Sequence, residues 1–163
     1  MWLIMKQIYF IRHAKSEKDG KTDFDRDLSQ KGKNDAKEAG KFLKKSKIKP
    51  DMIFASSAIR AAKTAKIIAG ELNTKKLEFK EELYDITLDN FVNFIKKIND
   101  KYKCVMIIAH NPTITEAAEY LSDSFITNLP TCGIFGVEFD INSFSDISED
   151  SGEVIMFDYP KMH

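Results

Sequence analysis

Two histidines and two arginines stand where apolar runs of this chain give way to polar ones. Arg12 and His13 close the run in FIRHAKSE (Phe10 to Glu17), Arg60 follows a serine pair in SSAIRAAKTA, and His110 closes CVMIIAH. Taken singly, each is an ordinary polar boundary residue. Together they suit phosphoryl transfer to a histidine. Two guanidinium groups can hold phosphate oxygens through charge-assisted, bidentate hydrogen bonds. A histidine beside two arginines has its cationic form disfavoured, so its ring stays neutral and nucleophilic near pH 7. The second histidine can donate to a non-bridging oxygen as charge spreads in the transition state. Such chemistry also calls for an acid to protonate the leaving group. The carboxylates of EELYD, namely Glu81, Glu82 and Asp85, are the candidates.

The elements that must position these groups follow from hydrophobic periodicity. QIYFIR, MIFA and CVMIIAH are short apolar runs that predict buried strands, and KLEFK is a further candidate strand. Between them lie helical patterns. KNDAKEAGKFLKK places Ala36, Ala39, Gly40 and Leu43 on one face, and TLDNFVNFIKKI does the same with Leu88, Phe91, Phe94, Ile95 and Ile98. The segment after MIFA starts with a serine N-cap candidate, Ser57, and NPTITEAAEYL starts with Asn111 and Pro112 as its cap and first helical residue. Both helix N-termini would point N–H groups toward an anion. After Pro130, GIFGVEFD and EVIMFDY predict a hairpin around the acidic, serine-rich INSFSDISEDSG, which reads as an exposed loop. Strands alternating with helices predict an α/β three-layer sandwich, a mostly parallel mixed sheet with helices on both faces. Ligands in such folds collect beyond the carboxyl ends of the strands, where all three histidine- and arginine-bearing groups fall.

Composition narrows the function classes. At 163 residues, the chain predicts one domain spanning 1–163. Lys plus Arg and Asp plus Glu each total 25, so no general attraction to nucleic acid or to an acidic membrane is expected. Cys104 and Cys132 form no CxxC pair, and with three histidines a metal centre has few ligands, so neither a disulfide framework nor a zinc site is expected. The apolar MWLIM start is brief and lacks the features of a signal peptide, and no run approaches the ~18 apolar residues of a membrane span. A cytoplasmic location with reduced thiols is the expectation.

The motifs resemble those of the histidine phosphatase superfamily, the phosphoglycerate mutase-like group. FIRHAKS is similar to its RHG/RHA signature, FDRDLSQKG to D-R-x-L-[ST]-x-x-G, and SSAIRAAKTA to S-P-x-x-R-[AC]-x-x-T-A. LYD stands where L-Y-E is usual, AHNP where G-H-N-P is usual, and LPTCG is like a late small-residue loop. The wording is most like that of the SixA-like phosphohistidine phosphatases. The resemblance implies that His13 becomes phosphohistidine and that Arg12, Arg60 and His110 form the phosphate pocket. Asp85 takes the place of the usual glutamate acid, with Glu82 as the fallback. Ser16 and Asn111 would touch the ligand, while Arg26 would either shape the pocket or pair at a loop. Two departures stand out: Ser57 replaces a common proline, and Asp85 is one methylene shorter than glutamate.

Substrate class is read from what is missing. Between the third and fourth strands, roughly residues 81 to 103, there is room for one helix, whereas longer relatives carry helices that roof the pocket. An unroofed pocket admits a phosphorylated protein side chain, which predicts a protein phosphohistidine phosphatase needing no cofactor and no metal. The alternative is a phosphomonoesterase acting on a small phosphorylated metabolite. A mutase is disfavoured, because retaining the substrate between two transfers favours a closed site. A phosphate-dependent binding module without turnover is disfavoured too, since a binder needs no nucleophile.

Overall fold

The computed structural model describes residues 5–19 and 22–162; the first four residues of the apolar MWLIM run lie outside the described residues. Six strands form one sheet: β1 (Lys6–Arg12), β2 (Met52–Ser56), β3 (Leu77–Lys80), β4 (Cys104–Ala109), β5 (Ile134–Phe139) and β6 (Gly152–Asp158). Their order is β3-β2-β4-β1-β5-β6. The first four pair in parallel, β5 runs antiparallel to β1, and β6 antiparallel to β5. This is the mixed sheet expected from the sequence, with the C-terminal hairpin at one edge.

Alternation along the central strands explains the two helix layers. Ile8 and Phe10 of β1 point into one apolar cluster, and Tyr9 and Ile11 into the other. On the second side lie α1 (Gln30–Lys45) and α2 (Ile59–Glu71), which contribute Ala36, Leu43, Ala61 and Ile68. On the first lie α3 (Leu88–Lys96), with Phe91 and Ile95, and α4 (Thr113–Ser122), with Ile114 and Leu121. β4 and residues 8–11 of β1 are covered on both faces and are apolar, which is why they read as hydrophobic runs. Lys6, at the start of β1, is buried too, and its Nζ donates to the carbonyls of Asp100 (2.7 Å) and Tyr102 (2.6 Å).

Two local expectations are corrected. Ser57 does not cap α2; the cap position is Ala58, which makes no side-chain cap bond. The Ala58 N–H is instead taken by Ser56 Oγ at 3.2 Å. The loop after β5 is also less exposed than its polar composition suggests. Phe144 is fully buried and Ile147 nearly so, both within the α3/α4-side cluster. Asp100 fixes this segment by accepting from the Phe144 N–H and from Ser143 Oγ, each at 2.8 Å.

Topology opens the crevice. From β1 the chain passes to α1 on one face, and from neighbouring, parallel β4 it passes to α4 on the other. Connections that diverge from two adjacent parallel strands leave a gap beyond their carboxyl ends. His13 and His110 are the residues that follow those two strands.

Candidate active site

β1 delivers Arg12 and His13 in a fixed frame. The His13 N–H still donates to the Ala109 carbonyl of β4 (3.1 Å), and the Cys132 N–H bonds the carbonyls of Arg12 and His13, both at 3.0 Å. Next in the chain, the Ala14 N–H donates to Thr64 Oγ1 (3.0 Å), tying the turn to α2. Gly32, in the first turn of α1, packs so tightly on the Lys15 carbonyl that an added Cβ would collide with it.

The protonation state of His13 follows from its partners. Nδ1 lies 2.8 Å from the Ala14 carbonyl oxygen, which can only accept, so Nδ1 carries the proton. The lone pair is therefore on Nε2, toward which Arg60 Nε donates at 3.4 Å. Burial, together with Arg60, Arg12 and Arg26, pushes the ring's pKa down to about 4. His110 is lowered to about 3, chiefly by burial and then by His13 and Arg60. Both rings are neutral at pH 7. Their centroids are 5.1 Å apart.

Partners are distributed unevenly among the polar groups. His110 Nε2 is 2.8 Å from Ser56 Oγ, while Nδ1 of the same ring is buried without a partner among the described residues. Arg12 donates from Nη1 to the Leu129 carbonyl (3.1 Å), while its buried Nε has no such partner. Buried polar atoms without partners are rare, and a ligand that bonds them is the ordinary remedy. The chain has only three arginines, Arg12, Arg26 and Arg60. All three line the same cavity of about 470 Å³ as His13 and His110.

Ser16 and Asn111, expected to touch the ligand, line this cavity as well. Both are partly engaged elsewhere. Ser16 Oγ accepts from Arg26 Nη2 at 2.7 Å, and Asn111 Nδ2 donates to the Leu129 carbonyl at 3.1 Å. The cap expected of Asn111 falls to Pro112 instead, with α4 beginning at Thr113; Asn111 Oδ1 accepts from the side chain of Thr115 at 2.6 Å.

The two carboxylates expected to supply the acid do not line this cavity. Asp85 and Glu82 line a different groove, of about 670 Å³, together with residues of α3. Asp85 takes a left-handed backbone conformation (φ 52°), which redirects the chain immediately after Tyr84. It is Tyr84 that faces the histidines, its ring edge-on to His110 at 5.4 Å.

The carboxylate that does reach the site is Asp23. Its Oδ2 accepts from Arg60 Nη2 (3.0 Å) and from the Tyr84 hydroxyl (2.7 Å), and Oδ1 accepts from Arg26 Nη1 (3.1 Å). The Tyr84 hydrogen bond and the two guanidinium groups hold its pKa far below the usual carboxylate range. It is ionised, and so orients Arg60 rather than supplying a proton. Sequence reasoning missed Asp23 because it looked for a carboxylate only after the third strand. Its role follows only from the structure, where the Arg60 side chain is 7% exposed and needs a counter-charge.

Fold and cavity together fit an enzyme that handles phosphoryl groups. The profile of the histidine phosphatase superfamily (branch 1) matches residues 8–119. The chain belongs to that superfamily and is a phosphatase of SixA-like architecture. An uncharacterised protein of Mycobacterium leprae is 28% identical over 165 residues, covering 93% of this chain and all of that protein. Two solved structures share the fold. The protein histidine phosphatase SixA in complex with tungstate gives a TM-score of 0.83 at 20% identity, covering 96% of this chain and 98% of that one. A protein assigned as the phosphohistidine phosphatase SixA of Agrobacterium tumefaciens gives 0.82 at 23%, covering 95% and 98%.

Proposed function

We propose that the chain dephosphorylates phosphohistidine on proteins, through a phosphohistidine formed on His13. The observation that carries this reading is the His13 ring itself. Its Nδ1 proton is fixed by a carbonyl, and its Nε2 lone pair faces a cavity lined by every arginine of the chain. In the first step Nε2 attacks phosphorus, and the bond from phosphorus to the substrate nitrogen breaks. Arg12, Arg60 and His110 hold the non-bridging oxygens, using the donors on Arg12 Nε and His110 Nδ1 that the protein leaves without partners. In the second step water attacks the phosphorus on His13, the P–Nε2 bond breaks, and inorganic phosphate leaves.

Leaving-group chemistry favours phosphohistidine over an alkyl ester. Asp85 and Glu82 lie outside this cavity, and Asp23 is ionised and engaged. An alkoxide needs a donated proton, whereas a phosphoimidazole can already carry its own. Three guanidinium groups supply the charge that a metal would otherwise bring, so turnover proceeds without a cation. Residues 1–163 act as one catalytic domain in the cytoplasm, an environment in keeping with two free cysteines. Among the described residues, no helix is long and apolar enough to cross a membrane.

Labelled phosphodonor should give an acid-labile, alkali-stable adduct on His13, and His13→Ala should abolish both the adduct and turnover. Undiminished turnover by that variant would overturn the mechanism. Faster turnover of sugar phosphates than of phosphohistidine protein would move the assignment to a small-molecule phosphomonoesterase.

A further inference from the structure

Four lysines, Lys15, Lys18, Lys31 and Lys161, line the same cavity as the three arginines, and among the described residues no Asp or Glu does. In a chain of zero formal net charge this is a local concentration of positive charge. The fold assembles it from separate segments: the turn after β1, the start of α1, and the chain beyond β6. Lys31 is paired with Asp35 at 2.7 Å. Lys15, Lys18 and Lys161 are exposed and belong to no ion pair among the described residues. Glu17 and Asp19 are their neighbours in sequence but do not line the cavity.

A single phosphoryl group does not account for them. Arg12, Arg60 and His110 already match its oxygens, and further cations at one mouth repel one another unless the ligand carries additional negative charge. The choice of residue is informative. Arginine, with its rigid fork, stands where oxyanion geometry is fixed, and lysine, a flexible point charge, stands where only the sign of the charge matters.

We propose that Lys15, Lys18 and Lys161 recognise carboxylates flanking the phosphorylated residue, so that the substrate is an acidic segment of a protein. This rests on the phosphohistidine phosphatase reading and narrows its substrate class. A protein surface fits better than a compact polyanion because the three lysines are exposed and come from separated segments. Such contacts act through encounter and KM, and salt weakens them.

The test compares wild type with the Lys15→Gln/Lys18→Gln/Lys161→Gln variant on three substrates. These are p-nitrophenyl phosphate, a phosphohistidine peptide flanked by Asp and Glu, and the same peptide flanked by Asn and Gln. At low salt wild type should prefer the acidic peptide by about ten-fold in kcat/KM, through KM, since exposed charge pairs are each worth a few-fold. The preference should fade on salt addition. In the variant it should vanish, while kcat on the aryl phosphate stays within about three-fold of wild type. Binding of the unphosphorylated acidic peptide, followed by fluorescence anisotropy, reads the rim independently of turnover and should weaken in parallel.

Wild type that hydrolyses the aryl phosphate but treats both peptides alike, with equal anisotropy, overturns the rim proposal alone. Assayed beside these three, a small bisphosphorylated compound whose KM rises in the variant, with no acidic-peptide preference in wild type, assigns the rim to a metabolite and also overturns the proposal. Wild type that turns over none of the three substrates sinks the phosphatase reading, while the anisotropy result still decides the rim.

Discussion

One depression lies beyond the carboxyl ends of β1 and β4 and another runs beside α3 to the segment before β4, and they differ in what their walls leave unpaired. The histidine cavity, about 470 Å³, holds two neutral imidazoles and three guanidinium groups. The groove beside α3, about 670 Å³, is larger but lined by Asn90, Asn93 and Asn99 among carboxylates and lysines of mixed sign. Tyr84 and Asp85 are consecutive, yet Tyr84 packs on His110 while Asp85 lines the groove. Size therefore does not locate the chemistry. Buried side-chain polar atoms without partners do, and both of those found among the described residues, Arg12 Nε and His110 Nδ1, belong to residues of the smaller cavity.

Acidification should separate the two regions most strongly. His13 and His110 are buried neutral, with pKa values lowered to about 4 and about 3 from the ordinary 6.5. Above pH 6.5 neither the folded nor the unfolded chain protonates them, and no stability depends on pH through these rings. Between 6.5 and 4 the unfolded chain binds protons that the folded chain does not, so stability falls as pH falls. For His13 alone the loss by pH 4 is roughly 3 kcal/mol. The His13→Gln/His110→Gln variant should show a flatter Tm profile over this range, and phosphate should protect wild type by favouring protonated rings. A Tm profile for the double variant as steep as that of wild type would place the acid sensitivity elsewhere.

Anion affinity gives the next largest effect. Arg60→Ala removes a charge-assisted partner worth roughly 1.5–3 kcal/mol, so tungstate or phosphate binding by calorimetry should weaken by about one to two orders of magnitude. Unchanged affinity would mean that the anion binds outside the histidine cavity.

Legibility followed burial. β4 and the centre of β1 were readable because strands covered on both faces are apolar there, and the meeting of Arg12, His13, Arg60 and His110 at one cavity was readable because they end such runs or begin the following helix. Asp23 was not. It sits on an exposed loop among Asp19, Asp25 and Asp27, and nothing local distinguishes the one aspartate that folds onto Arg60. Ser56 was similarly masked by Ser57: both are serines at a strand end, but only Ser56 lies within hydrogen-bonding distance of His110. Phe144 was hidden by polar neighbours, although its burial depends on Asp100, more than forty residues away. Contacts made across the fold leave little trace in local composition.

The smallest expected effect is the sharpest test of the contrast between the two depressions. Asp85 is exposed, lines the groove, and takes a φ of 52°, a conformation that asparagine tolerates as well as aspartate. Asp85→Asn therefore leaves the backbone in place and removes only a carboxyl group. If the histidine cavity works without an acid from this loop, kcat/KM on phosphohistidine peptide should stay within about two-fold of wild type, because the departing imidazole carries its own proton. Hydrolysis of p-nitrophenyl phosphate should be equally indifferent, since that leaving group departs without one. An alkyl phosphate should be a poor substrate for wild type and variant alike. A large loss confined to the alkyl phosphate would mean that Asp85 reaches the cavity during turnover, and the same pattern in Glu82→Gln would pass the role to Glu82. Either outcome would join the groove to the active site and restore ordinary phosphate esters as candidate substrates.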